Sequence, residues 1–205
     1  MHIIGERTLG IAILILLAVL VLVKKAASGS ILRERPRGEP LLWVVNLFNL
    51  FFLLIVNPLA AMLLIADRLQ LVDPTHVAIG RPLVLDMLEI AGAVLYVGGC
   101  LLMTWALVSL GRSYQVAGNA PRSDDAMIMN GPYRLARHPM YAAALCISLG
   151  LAWLTQSLAG FIIFCVYLAL IGLVIPIEEE GLRRAYGERY VAYTRAVKRL
   201  IPFIV

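Results

Sequence analysis

Apolar residues in this chain fall in long blocks separated by short polar segments. The first block covers residues 3–23, with Glu6 and Arg7 as its only charges. Its basic leader is weak, and Lys24-Lys25 follows it directly, as after a stop-transfer segment. It therefore reads as a retained transmembrane helix rather than a signal peptide. A polar linker over 24–40 carries Gly29, Pro36, Gly38 and Pro40, which argue against a continuous helix there. Residues 41–66 are uncharged and long enough to span a bilayer. Asn57-Pro58 predicts a kink in that span, and Asn46 and Asn49 are candidates for hydrogen bonds across helices. After a loop over 67–82, residues 83–110 form a third span whose charges, Asp86 and Glu89, sit in its first turns.

Residues 111–137 are polar and rich in turn formers. The stretch 141–177 then carries no charge at all. As one helix it would be about 55 Å long at 1.5 Å per residue, against a hydrocarbon core of about 30 Å. It must break, and Thr155-Gln156-Ser157 is its only polar cluster. The prediction is a hairpin of two short helices turning at that point, followed by a charged, amphipathic tail. The fold class expected is thus all-α integral membrane, with about five transmembrane helices and a C-terminal cytoplasmic amphipathic helix. The chain reads as one domain over 1–205: two spans in 1–82, then the third span and the site-bearing core in 83–205.

Composition agrees with a bilayer as solvent: 61% of the 205 residues are hydrophobic and 15% charged, where soluble domains carry about 25% charge. Cys100, Cys146 and Cys165 each lie within an apolar run, without the spacing of a disulfide framework or of metal ligands. They are expected to be small buried hydrophobes, and no metal is implied. The net charge of +5 does not call for nucleic acid, because its distribution has another cause. With five spans, 15 of the 18 Lys and Arg fall in 24–40, 111–138 and the tail, all on one side. That bias places the C-terminus in the cytoplasm and the N-terminus opposite. It also puts the 111–138 loop and the tail at the same membrane surface.

Those two segments hold the chemistry. Arg137-His138-Pro139-Met140-Tyr141 opens the fourth span, with Pro139 suited to a first helical turn. Arg137 and Tyr141 have an alternative use as headgroup-level anchors. Glu178-Glu179-Glu180 follows the fifth span directly. These carboxylates either favour the N-terminus of a following helix or bind a cation. Leu182, Tyr186, Tyr190, Tyr193 and Val197 share one helical face, consistent also with a helix lying on the membrane. Gly187 marks a bend or break in it. Arg199-Leu200-Ile201-Pro202 stops it.

Taken in order, Gly131-Pro132-Tyr133, Arg137-His138-Pro139-Met140-Tyr141, Glu178-Glu179 with Leu182, Tyr186-Gly187 with Tyr190 and Tyr193, and Arg199-Leu200-Ile201-Pro202 resemble the isoprenylcysteine carboxyl methyltransferase family and its phospholipid methyltransferase relatives. The resemblance covers roughly residues 105–203; the first two spans carry no signature of the family. It implies S-adenosyl-L-methionine as cofactor, bound outside any Rossmann fold, with a lipid-like or prenylated substrate entering from the bilayer. Met127 and Ile128 would contact the adenosine, and Gly131 and Tyr133 belong to the same cofactor-binding motif. His138 and Tyr141 would hold the methionine part, and Glu178 or Glu179 would pair with its ammonium. Arg137 would orient a carboxylate, and Arg137 and Glu179 are the catalytic candidates. The expected reaction is carboxyl O-methylation of an isoprenylcysteine-type acid. The alternatives are N-methylation of a phospholipid amine, a membrane reductase, or a membrane protein without catalysis. One departure bears on the acceptor: eukaryotic members carry basic residues just before the glutamate pair, where this chain has Pro176-Ile177.

Overall fold

The structure, a computed structural model, describes residues 5–28, 40–77, 81–111 and 127–200. Its elements are α1 (Glu6–Ser28), α2 (Pro40–Phe51), a π-helical turn (Phe52–Val56), α3 (Asn57–Ile65), a short α4 (Leu69–Val72), α5 (Pro82–Leu110), a 3-10 turn (Gly131–Arg134), α6 (Pro139–Thr155), α7 (Leu158–Tyr186) and α8 (Glu188–Ala196). Four helical stretches are long and apolar enough to cross a membrane: Glu6–Ala27, Pro40–Ile65, Pro82–Leu110 and Leu158–Tyr186; the fifth apolar helix, α6, is shorter. Large apolar side chains such as Leu47, Val94, Leu101 and Leu173 stand more than half exposed on their outer faces. On a water-soluble protein such a surface would drive association; here it meets lipid.

Helices in lipid associate by close backbone approach and scarce polar contacts. Gly99 and Gly150 provide the first between α5 and α6. A Cβ on Gly150 would stand 2.6 Å from the Tyr96 nitrogen, and one on Gly99 2.8 Å from the Ala143 carbonyl oxygen. Gly10 lets α1 approach α3 in the same way, against the Ala61 carbonyl. Ile13, Leu17, Phe52, Leu64, Tyr96, Ile147 and Leu151 form the main core across these helices.

Where Asn57-Pro58 predicts a kink, the helix carries a π turn. Pro58 has no N–H to give, and Asn57 supplies both its backbone N–H and its side-chain amide to the Phe52 carbonyl, the latter at 2.8 Å. The Tyr96 hydroxyl in turn donates to Asn57 Oδ1 at 2.9 Å. Asn49 bonds across helices as expected, accepting from the Tyr167 hydroxyl. Asn46 donates to Leu42 of its own helix.

Three sequence boundaries are corrected. The helix of the first span runs on through Lys24-Lys25 to Ser28, because both lysines are good helix formers; the rest of the expected linker, 29–39, lies outside the described residues, as do 112–126 of the polar loop. The loop over 67–82 contains α4 and then docks on the far end of the hairpin. There Asp73 Oδ1 accepts from Thr75 N and Oγ1, Thr75 Oγ1 accepts from Ala159 N at 2.9 Å, and Val77 N donates to the Gln156 carbonyl. The hairpin turns at Gln156-Ser157 as the length required, but only α6 is short. α7 does not end at the apolar boundary: it continues past Pro176 and the three glutamates to Tyr186. Glu178–Glu180 are therefore inside a helix rather than at the start of one. Its 29 residues rise about 43 Å, and its apolar part, 158–177, is by itself long enough for a hydrocarbon core of about 30 Å. Gly187, at φ +56°, is where the chain breaks into α8.

Candidate active site

Local chemistry at Pro139 begins the site. A proline disfavours helical backbone in the residue before it; His138, at φ −121° and ψ 58°, is non-helical, and it and Arg137 lead into α6. Their amides are free to pair outside the helix. Arg137 N donates to the Lys198 carbonyl at 2.7 Å, and His138 N to that of Arg199 at 2.9 Å. This short bridge straps the chain end beyond α8 against the mouth of α6.

Side chains complete the strap. The Arg137 guanidinium donates to Glu179 Oε1 through Nε at 2.9 Å, and a terminal nitrogen forms an ion pair with the same oxygen at 2.8 Å. Its other terminal nitrogen serves the carbonyls of Thr194, at 3.0 Å, and Val197. Arg199 grips Glu179 Oε2 with two nitrogens, at 3.1 and 2.8 Å. His138 Nε2 stands 3.4 Å from Glu179 Oε1, and its Nδ1 3.7 Å from Glu178 Oε2. The Tyr141 hydroxyl donates to Glu178 Oε1 at 2.8 Å, and its ring stacks on His138 with centroids 5.8 Å apart.

The two glutamates thus differ sharply although adjacent. Burial pushes the Glu179 carboxyl up, but hydrogen bonds from His138, Arg199 and Arg137 outweigh it and hold the group down at about 2. Burial also pushes Glu178 up, and there the His138 and Tyr141 contacts do not reverse it, while the Glu179 charge adds to the rise. Glu179 is an ion-paired anchor. Glu178 is a half-buried carboxyl that, among the described residues, has Tyr141 and His138 beside it and no Arg or Lys ion pair.

Above them, α8 carries the predicted stripe. Met127, Tyr190 and Tyr193 are buried together, with Met129, Leu182, Tyr186 and Val197 packed around them. The face holds across the Gly187 break. The Tyr193 hydroxyl donates to the Tyr133 carbonyl at 2.6 Å, and burial raises its ionisation to about 12.

The structure therefore brings together Met127, Tyr133, Arg137, His138, Tyr141, Glu178 and Glu179, at one end of the bundle. Ile128 adjoins Met127 and is half-buried. Gly131 is set by sterics: at φ +58° it lies so close to α5 that a Cβ would strike Ser109 and stand 3.2 Å from Trp105 Nε1. Arg137 and Glu179, the catalytic candidates, spend their described contacts on each other and on the strap. Arg199, Tyr190 and Tyr193 join the site without a role assigned from sequence, although all three stand in the quoted motifs.

Residues 88–189 match the phospholipid methyltransferase family. The chain is 28% identical over 115 residues to protein-S-isoprenylcysteine O-methyltransferase B of Arabidopsis thaliana, covering 55% of this chain and 58% of the relative. It is 32% identical over 98 residues to the cobalt-zinc-cadmium resistance protein CzcN of Cupriavidus metallidurans, covering 47% of this chain and 45% of that one. The chain thus spans about half the length of these curated relatives. A structure of the eukaryotic intramembrane Ras methyltransferase ICMT superposes with a TM-score of 0.63 at 16% identity, covering 98% of this chain and 69% of that one. The resemblance read from the motifs agrees with these comparisons: the chain carries the phospholipid methyltransferase pattern over residues 88–189, is similar in sequence to isoprenylcysteine O-methyltransferases, and shares the all-helical membrane fold of ICMT.

Proposed function

We propose that this chain is an S-adenosyl-L-methionine-dependent methyltransferase acting on a lipid-like substrate, by carboxyl O-methylation of an isoprenylcysteine-type acid. The observation that carries the reading is Glu178: a half-buried carboxyl beside His138 and Tyr141 that no Arg or Lys among the described residues pairs with. Such a group suits a ligand that brings its own cation. Bound there, the cofactor would supply a methyl group made electrophilic by a sulfonium.

The residues divide the work. Glu178, steered by Tyr141 and His138, would receive the ligand ammonium. Met127 and Ile128 would line the apolar part with Tyr190 and Tyr193. Glu179 with Arg137 and Arg199 holds α8 and the strap closed, which keeps water from the reacting groups. A carboxylate acceptor is already ionised at neutral pH, so positioning suffices and no general base is required. A second reading, N-methylation of a phospholipid amine, is favoured by the raised Glu178 carboxyl, which could accept the amine proton. In both, the lipid tail would enter from the bilayer and the cofactor from the cytoplasm, the side indicated by the Lys and Arg bias.

Purified protein in detergent tests this directly. S-adenosylhomocysteine at 100 times its Kd is expected to stabilise the fold by about 2.7 kcal/mol, a rise of roughly 5–10 °C in Tm for a chain of this size. Glu178→Gln should abolish the rise without loss of folding. Absence of any shift at saturating ligand would refute the cofactor. Mass spectrometry after incubation with a prenylcysteine or with phosphatidylethanolamine vesicles separates the two acceptors.

A further inference from the structure

A donor is left over at this site. Arg137 spends Nε and both terminal nitrogens on Glu179, Thr194 and Val197. Arg199 Nε and one terminal nitrogen serve Glu179. The Tyr141 hydroxyl serves Glu178, and the Tyr193 hydroxyl the Tyr133 carbonyl. Tyr190 differs. Its side chain is 2% exposed, yet among the described residues its hydroxyl has no hydrogen-bond partner. Nothing apolar forces this: phenylalanine would fill the same place between Met127 and Tyr193 without burying a polar group. Nor is the hydroxyl remote from the chemistry, since the charges of Glu179, Arg137 and Glu178 all act on it. A buried, unpaired donor beside two carboxylates is a costly feature unless a ligand completes it.

The missing partner can be specified by chemistry. Two of the three neighbouring charges are negative, so a second cation would not need Tyr190. An amino-acid-type ligand end, however, carries an anion next to its ammonium. If the ammonium faces Glu178, the carboxylate is left in a site where Arg137 is engaged with Glu179 and the strap, and where Arg199, on a side chain 47% exposed, keeps only one terminal nitrogen beyond its grip on Glu179. We propose that the Tyr190 hydroxyl is a positioning group that donates a hydrogen bond to the carboxylate of the amino-acid end of the ligand whose ammonium Glu178 receives. This rests on the cofactor reading above. It makes α8 a recognition element as well as a cover, sensitive to the anionic end of the ligand.

The test uses binding to the full chain in detergent, with two ligands and two variants. S-adenosylhomocysteine should bind Tyr190→Phe about tenfold more weakly than wild type. Decarboxylated S-adenosylhomocysteine, which keeps the ammonium, should bind wild type and Tyr190→Phe equally. Ligand-free Tyr190→Phe should melt no lower than wild type, because its hydroxyl has no partner to lose. Tyr193→Phe should melt lower, because it orphans the Tyr133 carbonyl. Equal binding of S-adenosylhomocysteine by wild type and Tyr190→Phe, or an equal loss with both ligands, overturns the assignment while leaving the cofactor reading standing. Failure of wild type to bind either ligand overturns both.

Discussion

Replacing Arg137 by alanine should open the strap and leave the bundle intact. The side chain is 9% exposed and paired to a Glu179 that is 8% exposed. Removing one partner of a buried pair costs about 3–5 kcal/mol, mostly because the other charge is stranded. Here Arg199 remains on Glu179 Oε2, which places the expected cost near the lower end, about 3 kcal/mol. Two carbonyls, of Thr194 and Val197, lose their donor as well. These contacts all join α6 and α7 to the segment 194–199, so the loss should appear as local opening rather than global unfolding. Hydrogen–deuterium exchange in detergent reads it. Amides that pair with or lie within 188–200 should exchange about 100-fold faster, the factor equivalent to 3 kcal/mol, whereas those of α5 and α6 should hardly change. Arg137→Lys should fall between, since an ammonium cannot reproduce the planar fork. Unchanged protection over 188–200 in Arg137→Ala would show that the strap is held by something other than this guanidinium.

Two further perturbations address other levels of the structure. Gly150→Val puts a side chain where a Cβ already stands 2.6 Å from the Tyr96 backbone; α5 and α6 should fail to seat, seen as loss of monodisperse protein on size-exclusion chromatography, and a normal profile would refute the close approach. For pH, Glu179 sits at about 2 against an ordinary 4.5, so its stabilising contribution is complete above 4.5 and is lost as pH falls toward 2. Lowering pH from 6 to 3 should therefore cost wild type about 2 kcal/mol through this group alone, and Glu179→Gln, though less stable at pH 6, should show a shallower acid slope in Tm; parallel slopes would contradict the ion-paired assignment.

What the sequence made legible, it made legible through strong local rules. A 37-residue uncharged stretch cannot be one span, and its one polar cluster had to be the turn. Pro139 announced a helix start, and α6 begins there. The parity of the spans placed residues near 137 and 179 at the same end of the bundle, where they meet. The errors have physical reasons too. Taking the end of the apolar run as the end of α7 confused two boundaries: the uncharged run stops at residue 177, but the backbone ladder continues to Tyr186, since glutamate and arginine are good helix formers. That Glu179 rather than Glu178 faces two arginines was not legible either, since one lies 42 and the other 20 residues away in sequence. Composition carries no such information. Tyr190 and Tyr193 look alike on a helical wheel, and only the Tyr133 carbonyl distinguishes them.

Because α7 is unbroken from lipid to site, the height of the glutamate pair is geared to the membrane. About 20 residues of it fill a hydrocarbon layer of about 30 Å, and the pair begins on the very next turn. A thicker bilayer must either tilt this rod or draw Glu178 toward acyl chains; a thinner one lifts the pocket off the surface from which a greasy acceptor would arrive. The proposed methyl transfer should accordingly peak in lipids of one acyl length and fall on either side, making the host membrane itself a selector of where the protein works.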